Sequence, residues 1–445
     1  MRFTTDELTG PLNATLIGPA VRATGVAIDS RGLVGGELFV ALRAERDGHQ
    51  FVPVAAAAGA VAVVVDHPVD VTGGHDVAQL VVADTAVALE RLGAVARRRL
   101  PDRVVGITGS VGKTTTKDLL AAVLGQREVI AASEKSFNNE LGVPLTLANA
   151  PDAATAAVVE MGARGIGHIA YLCGIASPTV GVVTAVEAVH TEVMGGIEDI
   201  AVAKSELVAA LPAHGHAILN ADNPYVAAMS QVTDAQVLTF GEAGHVRATN
   251  VTVDDDLRAS FVLNSPWGSA QVSLGARGVH NVANALAAAA AALVLDVPLD
   301  AVVSGLAAAP ASPLRMDLRR CASGAVVLND SYNAGPASMA AALRSLAALP
   351  AEQRIAVVGI MAELGERGPD EHRQVAALAA SLGVRLVPVA TDLYGVEPVP
   401  DIAAAVAAVG PLGVGTAVLV KGSRVAGLER VADALIAEAG GSVPD

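Results

Sequence analysis

The feature that most constrains this chain is a short glycine-rich turn between an apolar run and a helix-like stretch. The turn is Gly109–Thr114 (GSVGKT), the run before it is Arg103–Thr108, and the helix-like stretch continues to about Leu124. Glycines let a backbone curl until its amides face phosphate oxygens, and the start of a helix adds a partial positive charge. The pattern therefore predicts an α/β fold with a phosphate-binding loop on a parallel sheet, the alternative being an incidental glycine-rich turn.

The side chains of this loop indicate a nucleoside triphosphate and a metal ion. Lys113 can reach the β- and γ-phosphates, and the hydroxyl of Thr114 can bind Mg2+. Ile107 stands six residues before Lys113, where the general nucleotide-binding pattern has its first glycine, so this loop is a shorter variant. We therefore expect ATP and Mg2+ at a site formed by Gly109, Ser110, Gly112, Lys113, Thr114 and Thr115.

Composition excludes several classes of protein. The formal net charge of -15 and the lack of a long basic cluster argue against a nucleic-acid partner. Two cysteines far apart in sequence, Cys173 and Cys321, indicate a reducing compartment without a disulfide framework. The longest apolar run, Ala285–Leu295, is too short to cross a bilayer, and Met1–Gly10 does not resemble a signal peptide. We expect a cytoplasmic protein without membrane insertion.

Strand-like and helix-like runs divide the 445 residues into three blocks, 1–102, 103–313 and 314–445. The first is a smaller α/β block in which Glu37–Leu42 and Val61–Asp66 read as strands, and Pro101 indicates a linker after it. The central block is predicted to be a parallel-sheet domain like those of P-loop ATPases. The third repeats the rhythm of a Rossmann-like, doubly wound sheet but lacks a Gly-x-Gly-x-x-Gly after its first strand.

Within the central block, continuous apolar runs predict buried parallel strands, and one stretch departs from them. The runs are Ala156–Glu160, Val180–Thr184 and Ala217–Asn220, with helices between them. Val246–Leu274 is polar and alternating, which indicates an antiparallel excursion. A helix around Asn281–Leu295 follows it.

Lys204 stands inside the apolar stripe of a predicted helix, Ile197–Leu211. It follows Ile200 by four residues and precedes Leu207 by three, so all three share one face. One interpretation is a lysine whose ammonium escapes to water along an apolar stem. The other is a buried amine with a lowered pKa that requires a partner.

A series of motifs spread over nearly the whole chain resembles the Mur ligases. The series after the phosphate loop comprises Asn138–Pro144 (NNELGVP), Glu160–Ala163 (EMGA), Ala203–Glu206 (AKSE), Asn220–Asn223 (NADN), His280–Leu286 (HNVANAL), Asp330–Ala334 (DSYNA), Met361–Gly365 (MAELG) and Val420–Arg424 (VKGSR). In the first block, Asp29–Arg31 and Asp47–Phe51 resemble the uridine-nucleotide domain of the family. Each string is short, but their order and spacing together are typical of this family.

The resemblance implies an ATP-dependent ligase that joins D-Ala-D-Ala to UDP-N-acetylmuramoyl-tripeptide in the cytoplasmic stage of peptidoglycan precursor synthesis. ATP would phosphorylate the peptide carboxylate, and the amine would then attack the acyl phosphate. The implied metal ligands, for two Mg2+ ions, are Thr114, Glu160, His190 and Lys204, the last as a carbamate formed with CO2. The implied ATP contacts are Asn281, Asn284, Arg315 and Asp330, and the implied substrate contacts are Ser30, Arg31, Asn138, Asn139, Tyr332 and Asn333.

The residues alone leave other interpretations of some sites. Asn281 and Asn284 share one helix face, which also suits helix capping. Ser30 and Arg31 also suit an ordinary polar loop. The family's usual Pro-Gly-Arg is Pro313–Arg315 here, with Leu314 replacing the glycine, and Ile360 replaces a common aspartate.

Three other functions compete with this one. The sister ligase that adds the third amino acid usually carries His-Thr-Pro-Asp where this chain has Tyr332–Pro336 (YNAGP). An ATP-hydrolysing switch would need neither Lys204 in its stripe nor the two flanking blocks. An oxidoreductase fails because the dinucleotide fingerprint is missing. We expect a monomer whose third block closes onto the central one when ATP binds.

Overall fold

The computed structural model describes residues 1–71, 77–134, 137–188, 194–310 and 312–442. It is an α/β structure with three sheets that contain parallel strands, as the sequence predicts. Within the described ranges, no helix combines the length and hydropathy that a membrane crossing requires.

The first block contains a five-stranded sheet and a separate strand pair. Its elements are β1 Phe3–Thr4, α1 Thr5–Leu12, β2 Thr15–Ile17, β3 Arg22–Ala23, β4 Val26–Ala27, β5 Leu38–Val40, α2 Val52–Ala57, β6 Ala62–Val65, β7 Ala78–Val81 and α3 Thr85–Arg97. The sheet order is β2-β7-β6-β5-β4, with β2 alone antiparallel, and β1 pairs with β3. Asp84 starts α3 because its carboxylate accepts the N–H groups of Ala86 and Val87.

The central block is built on a six-stranded sheet in which every pairing is parallel. Its elements are β8 Val104–Thr108, α4 Lys113–Leu124, β9 Ile130–Ala132, α5 Gly142–Ala148, β10 Ala156–Glu160, α6 His168–Ala176, β11 Val180–Val183, α7 Ile197–Ala209, β12 His216–Asn220, α8 Pro224–Ala228 and β13 Gln236–Phe240. The order is β13-β12-β11-β8-β10-β9. Strands β8, β10 and β11 are buried throughout, which is why they read as continuous apolar runs.

The predicted antiparallel excursion is confirmed as a three-stranded sheet, β14-β15-β16, that follows β13. Its strands are β14 Arg247–Val253, β15 Arg258–Ser265 and β16 Gly268–Arg277, and the helices after it are α9 Asn281–Val294 and α10 Leu299–Ala308. Ala285 and the run Ala287–Ala292 of α9 are fully buried, and the helix packs closely on α4. The start of α9 is thereby held beside the phosphate loop.

The C-terminal block is a five-stranded sheet covered on both faces. Its elements are β17 Asp317–Arg320, β18 Val326–Asn329, α11 Pro336–Ala348, β19 Gln353–Val358, α12 Gly368–Ser381, β20 Arg385–Pro388, α13 Ile402–Val409, β21 Thr416–Lys421 and α14 Glu429–Glu438. The order is β17-β18-β21-β19-β20, with only β17 antiparallel. Helices α11 and α12 cover one apolar face and α13 and α14 the other, so the predicted doubly wound arrangement is confirmed.

The first two blocks pack against each other through apolar contacts and hydrogen bonds. The segment at Pro101 therefore joins two blocks in contact, whereas the sequence suggested only a linker. One apolar core runs from the first block into α5, β10 and α6. The buried guanidinium of Arg97 donates to the carbonyl oxygens of Ala176 (2.8 Å) and Ser177 (3.2 Å) and to Asp102 (2.9 Å). Arginine is suited to this role because its five N–H groups satisfy several carbonyls at once.

Candidate active site

The candidate site is a cavity of about 720 Å³ between the carboxyl edge of the central sheet and the C-terminal block. Ligands of α/β proteins commonly bind at this edge. The cavity brings together predicted residues from both blocks: Gly109, Ser110, Gly112, Lys113, Thr114, Thr115, Asn138, Asn139, Glu160, Lys204, Asn281, Asn284, Arg315, Asp330, Tyr332 and Asn333.

Glycine is required at two positions of the phosphate loop. Gly109 has a φ of 149° and Gly112 a φ of 84°, which side-chain-bearing residues rarely adopt. A Cβ atom on Gly109 would lie 1.9 Å from Thr184 Oγ1, and one on Gly112 would lie 2.3 Å from Asn284 Oδ1. The backbone of the loop is therefore packed so closely against Thr184 and Asn284 that only glycine fits, which an incidental glycine-rich turn would not require.

The segment after β11 holds this loop in place. The N–H of Ser110 donates to the carbonyl oxygen of Ala185 at 2.8 Å, and its hydroxyl donates to the carbonyl oxygen of Glu187 at 3.0 Å. The N–H of Glu187 donates to the Ser110 hydroxyl at 2.9 Å. Since both polar groups of Ser110 are engaged, this residue fixes the shape of the loop, and phosphate binding falls to the residues after it.

Thr114 and Glu160 form the centre of a network that joins the two blocks. The Thr114 hydroxyl donates to Glu160 Oε2 at 2.8 Å, and Asn138 Nδ2 donates to Glu160 Oε1 at 2.8 Å. From the C-terminal block, Arg315 Nη2 donates to Thr114 Oγ1 at 3.1 Å. A hydroxyl and a carboxylate at this separation form the oxygen-rich environment that Mg2+ prefers.

Two lysines meet the cavity with lowered pKa values. Burial lowers the pKa of Lys113, and Arg315 lowers it further. Burial, with a contribution from Lys113, lowers the pKa of Lys204 to about 7. Lys204 is 5% exposed, so the predicted apolar stripe does bury it, and an escape of its ammonium to bulk water is not observed. Near neutral pH a large fraction of this amine is uncharged.

The two asparagines at the start of α9 are linked to each other and to the phosphate-loop helix. Asn284 Nδ2 donates to Asn281 Oδ1 at 2.7 Å, and Asn281 Nδ2 donates to the carbonyl oxygen of Arg277 at 2.6 Å. Thr116 Oγ1 donates to Asn284 Oδ1 at 3.4 Å. This arrangement ties the end of β16 to α9, so part of the hydrogen-bonding capacity of both amides has a structural use.

On the opposite wall, Asp330 pairs with a lysine to which the sequence reasoning assigned no role. Lys421 Nζ donates to Asp330 Oδ2 at 2.6 Å and to the carbonyl oxygen of Asn333 at 2.9 Å. Lys421 ends β21, directly after the apolar run that predicted the strand. The rule that functional side chains collect at strand ends would have identified it.

Leu314 adopts the backbone that a glycine would favour. Its φ is 60°, and the N–H of Tyr332 donates to its carbonyl oxygen at 3.1 Å. Arg315 nevertheless reaches Thr114, and its guanidinium lies 4.1 Å from the centre of the Tyr332 ring. Asn139 uses its side-chain oxygen to accept the N–H of Gly142 at 2.9 Å, so it contributes to the start of α5.

Two predicted residues, Ser30 and Arg31, lie outside this cavity. Ser30 and Arg31 lie in a short 3-10 helix of the first block, where Asp29 accepts the backbone N–H of Arg31 at 3.0 Å. The Arg31 guanidinium also pairs with Asp29 and lowers the pKa of that carboxyl to about 2. Their uridine-nucleotide contacts stay predictions. His190 lies outside the described residues.

Potential metal-ligating atoms also lie within 4.8 Å of one another in His49, Asp66 and His67. His49 Nδ1 contacts Asp47 at 2.6 Å, and its Nε2 accepts the N–H of Asp66 at 3.0 Å. Arg43 donates to Asp66 Oδ2 at 2.5 Å. Because both ring nitrogens of His49 are engaged, this group fastens a loop and offers no complete metal site.

A phosphate loop on a parallel sheet, faced across a cavity by a second α/β block, defines the class of P-loop nucleotide-dependent enzymes. Family models agree with this class over most of the chain. They are the Mur ligase family catalytic domain over residues 22–103, the Mur ligase middle domain over 107–292 and the Mur ligase glutamate ligase domain over 314–434. The chain belongs to the Mur ligase family, and it is an ATP-dependent ligase.

Similar proteins cover almost the whole chain. The UDP-N-acetylmuramoyl-tripeptide–D-alanyl-D-alanine ligase of Escherichia coli is 38% identical over 97% of this chain and 98% of its own length. The protein of that name from Synechocystis is 41% identical over 84% of this chain and 80% of its own. A crystal structure of MurF from Acinetobacter baumannii has a TM-score of 0.88 and 32% identity, covering 98% of this chain and 99% of its own.

The structure of MurF ligase from Thermotoga maritima in complex with ADP is also similar. It has a TM-score of 0.79 and 25% identity, and the match covers 94% of this chain and 98% of that chain.

Proposed function

We propose that this chain joins D-alanyl-D-alanine to UDP-N-acetylmuramoyl-tripeptide through an acyl-phosphate intermediate, consuming ATP. The observation that carries the proposal is the two-sided cavity, in which Arg315 of one block meets the Thr114–Glu160 pair of the other. The near-full-length similarity to ligases of this name supports the choice of substrates.

We propose that each of three domains binds a different substrate or part of the ATP site. Residues 1–102 bind the uridine nucleotide, with Ser30 and Arg31 among the contacts, and residues 103–313 bind ATP. Residues 314–445 complete the ATP site and receive the dipeptide. The family models for three successive domains, with junctions near residues 103–107 and 292–314, support this division.

In the first step, the carboxylate of the tripeptide attacks the γ-phosphorus of ATP, and ADP leaves. The phosphate loop and the N-terminus of α4 cradle the phosphates, and Lys113 offsets charge on the β- and γ-oxygens. Arg315 lies where its guanidinium can neutralise the transferring phosphoryl group. Asn281 and Asn284 contact the adenine, and Asp330 contacts the ribose.

The residues present fit two Mg2+ ions. Thr114 and Glu160 would hold the first, since their oxygens already meet at 2.8 Å. Lys204, as a carbamate, would hold the second with His190, and its buried, largely neutral amine supports reaction with CO2. When bound, Mg2+ neutralises phosphate charge and aligns the reacting oxygens.

In the second step, the amine of D-Ala-D-Ala attacks the acyl carbon, an amide forms and phosphate leaves. Asn138 and Asn139 lie on the central wall, and Tyr332 and Asn333 face them from the C-terminal wall. We assign the first pair to the nucleotide-peptide and the second pair to the dipeptide. Closure of the walls excludes water, which would otherwise hydrolyse the acyl phosphate.

We also propose that the enzyme works in the cytoplasm as a monomer. Its substrates and ATP belong to that compartment, and the cavity is completed by one chain. Sedimentation equilibrium at several protein concentrations tests the second part. A mass that increases with concentration contradicts it.

The decisive experiment measures phosphate release from ATP and Mg2+ with UDP-N-acetylmuramoyl-tripeptide and D-Ala-D-Ala, added singly and together. Release only with both, with a pentapeptide product identified by mass, is the expected result. Release with other amines but not with D-Ala-D-Ala indicates the sister specificity. Release without either substrate indicates an ATP-hydrolysing switch.

The proposed carbamate is tested by removing dissolved CO2. We expect the ligase rate to fall in CO2-free buffer and to recover when bicarbonate is added, because a neutral amine captures CO2 reversibly. A Lys204→Met variant is expected to stay at least about 100-fold slower under both conditions. Equal wild-type rates with and without CO2 contradict the carbamate.

A further inference from the structure

Glu187 lines the cavity, and none of the roles above uses its carboxylate. It follows β11 at the carboxyl edge of the sheet, and it shares the cavity with Ser110, Lys113 and Lys204. Burial raises the pKa of this carboxyl. The position is therefore buried enough to disfavour the charged form, yet it is occupied by an acid.

The backbone of Glu187 is held firmly. Its N–H and carbonyl group both bond the Ser110 hydroxyl, at 2.9 and 3.0 Å. Asn223 Nδ2 donates to the carbonyl oxygen of the preceding residue, Val186, at 3.0 Å. The carboxylate is thus carried on a segment that also fixes the phosphate loop, so its position relative to the phosphates is set by the fold.

Among the residues that the structure describes, the Glu187 carboxylate has no hydrogen bond or ion pair, although cations lie nearby. Lys113 donates to the carbonyl oxygen of Gly109 at 2.7 Å, and Arg315 donates to Thr114. The amine of Lys204, with its pKa near 7, carries only part of a charge. An ionised carboxylate here is disfavoured by burial and would repel the phosphates of ATP. A divalent cation that binds together with ATP would offset both effects.

We propose that Glu187 is an additional ligand of the second divalent cation, the one assigned above to the carbamate of Lys204. Carboxylate oxygens are preferred ligands of Mg2+, and the position beside Ser110 lies at the phosphate loop. This inference rests on the proposed function because that cation belongs to the proposed ATP site. It gives the second ion a carboxylate ligand that does not depend on the reaction of Lys204 with CO2.

The test counts bound Mn2+, used in place of Mg2+, by electron paramagnetic resonance of the free ion. The full-length protein is titrated in bicarbonate buffer with β,γ-methylene ATP. We expect about two Mn2+ ions per wild-type chain. Glu187→Gln is expected to weaken the second site at least about tenfold and to leave the first unchanged. Glu187→Asp, which keeps the carboxylate, is expected to lie between them.

Glu198→Gln is the matched control. It removes one carboxylate from the exposed first turn of α7, close in sequence but outside the cavity, and is expected to bind Mn2+ like the wild type. Thermal unfolding without metal provides an independent readout. Glu187→Gln is expected to melt at the same temperature as the wild type or higher, because it removes a partly buried carboxyl whose charged form is disfavoured by burial.

Unchanged Mn2+ binding by Glu187→Gln overturns the proposal. Unchanged Mn2+ binding with a tenfold higher KM for D-Ala-D-Ala also overturns it and assigns Glu187 to the dipeptide ammonium. A lower melting temperature without metal indicates a structural role and counts against it as well. Ligase activity of the wild type is measured separately, so loss of this inference leaves the proposed reaction standing when that activity is present.

Discussion

The burial of the Lys204 amine lowers the free energy of unfolding of this protein at neutral and acidic pH. Its pKa is about 7, well below the value of 10.5 for a free lysine, and the main cause is burial. Between these two pH values the unfolded chain binds a proton that the folded chain does not. The free energy of unfolding contributed by this residue therefore rises with pH over that window, and the penalty is greatest below pH 7.

Lys204→Met is expected to stabilise the metal-free protein while it abolishes ligase activity. The gain at pH 6.5 is expected to be on the order of a few kcal/mol and to shrink toward pH 10, since the penalty disappears there. Urea unfolding at both pH values measures it. Lys117→Met is the control, because Lys117 donates to the Ser133 carbonyl at 2.6 Å and its removal is expected to destabilise. Lower stability of Lys204→Met at pH 6.5 contradicts the interpretation.

The loop between β8 and α4 depends on its glycines. Gly112→Ala is expected to lose at least about 2 kcal/mol of unfolding free energy and at least tenfold in ATP affinity. The added Cβ would meet Asn284 at 2.3 Å, on a backbone with a φ of 84°. Urea unfolding and calorimetric ATP titration measure these effects.

Gly10→Ala in α1 is the matched change, because a Cβ there meets nothing within 4 Å. It is expected to change the free energy of unfolding by less than about 1 kcal/mol, because the gain of alanine over glycine within a helix is opposed by Pro11, which follows it. Wild-type ATP affinity in Gly112→Ala, with this control behaving as expected, would show that the loop tolerates a side chain.

Elements with a strong local pattern were predictable from the sequence, and those set by distant partners were not. β10 was predicted with its observed ends, because a run of five consecutive buried residues ends at Glu160. The pair β1–β3 escaped prediction, since two-residue strands carry no period. Lys204 could be assigned to a buried face. Its proximity to Lys113, however, depends on how α7 packs against β8 and β11 of the central sheet. Similarly, the pairing of Lys421 with Asp330 required the strand order.

At the scale of the whole molecule, Arg315 connects the two walls of the cavity through its hydrogen bond to Thr114. Arg315→Ala is expected to lower kcat by about 100- to 1,000-fold, because one cation is removed from the transferring phosphoryl group. The substitution is expected to change the free energy of unfolding only slightly, because Arg315 lines the cavity and belongs to neither of the adjoining apolar cores. Steady-state kinetics and urea unfolding measure the two.

Arg319→Ala is the control, since Arg319 pairs with Asp317 on the exposed strand β17. Scattering profiles with and without ATP and the nucleotide-peptide test the accompanying closure. Profiles that stay identical in the wild type argue against closure, and an unchanged kcat in Arg315→Ala argues against the assigned contact.

The two junctions between blocks differ in kind, and this predicts stepwise unfolding. The first and central blocks share one apolar core, whereas the C-terminal block has cores almost entirely of its own. Scanning calorimetry of the ligand-free protein is expected to show two transitions, one of them from the C-terminal block. A separately produced chain of residues 314–445 is expected to melt at the same temperature as that transition. A single transition for the full chain contradicts this prediction.

The shared core also constrains the order of events on the ribosome. Residues of the first block, among them Leu89 and Leu92, share one apolar core with Ile175 and Ala176, which are synthesised more than eighty residues later. Until that later stretch emerges, the nascent first block exposes an apolar face, and such faces attract chaperones. The C-terminal block completes its cores only from late residues and can form after release. Premature termination near residue 102 is thus expected to yield an aggregating fragment.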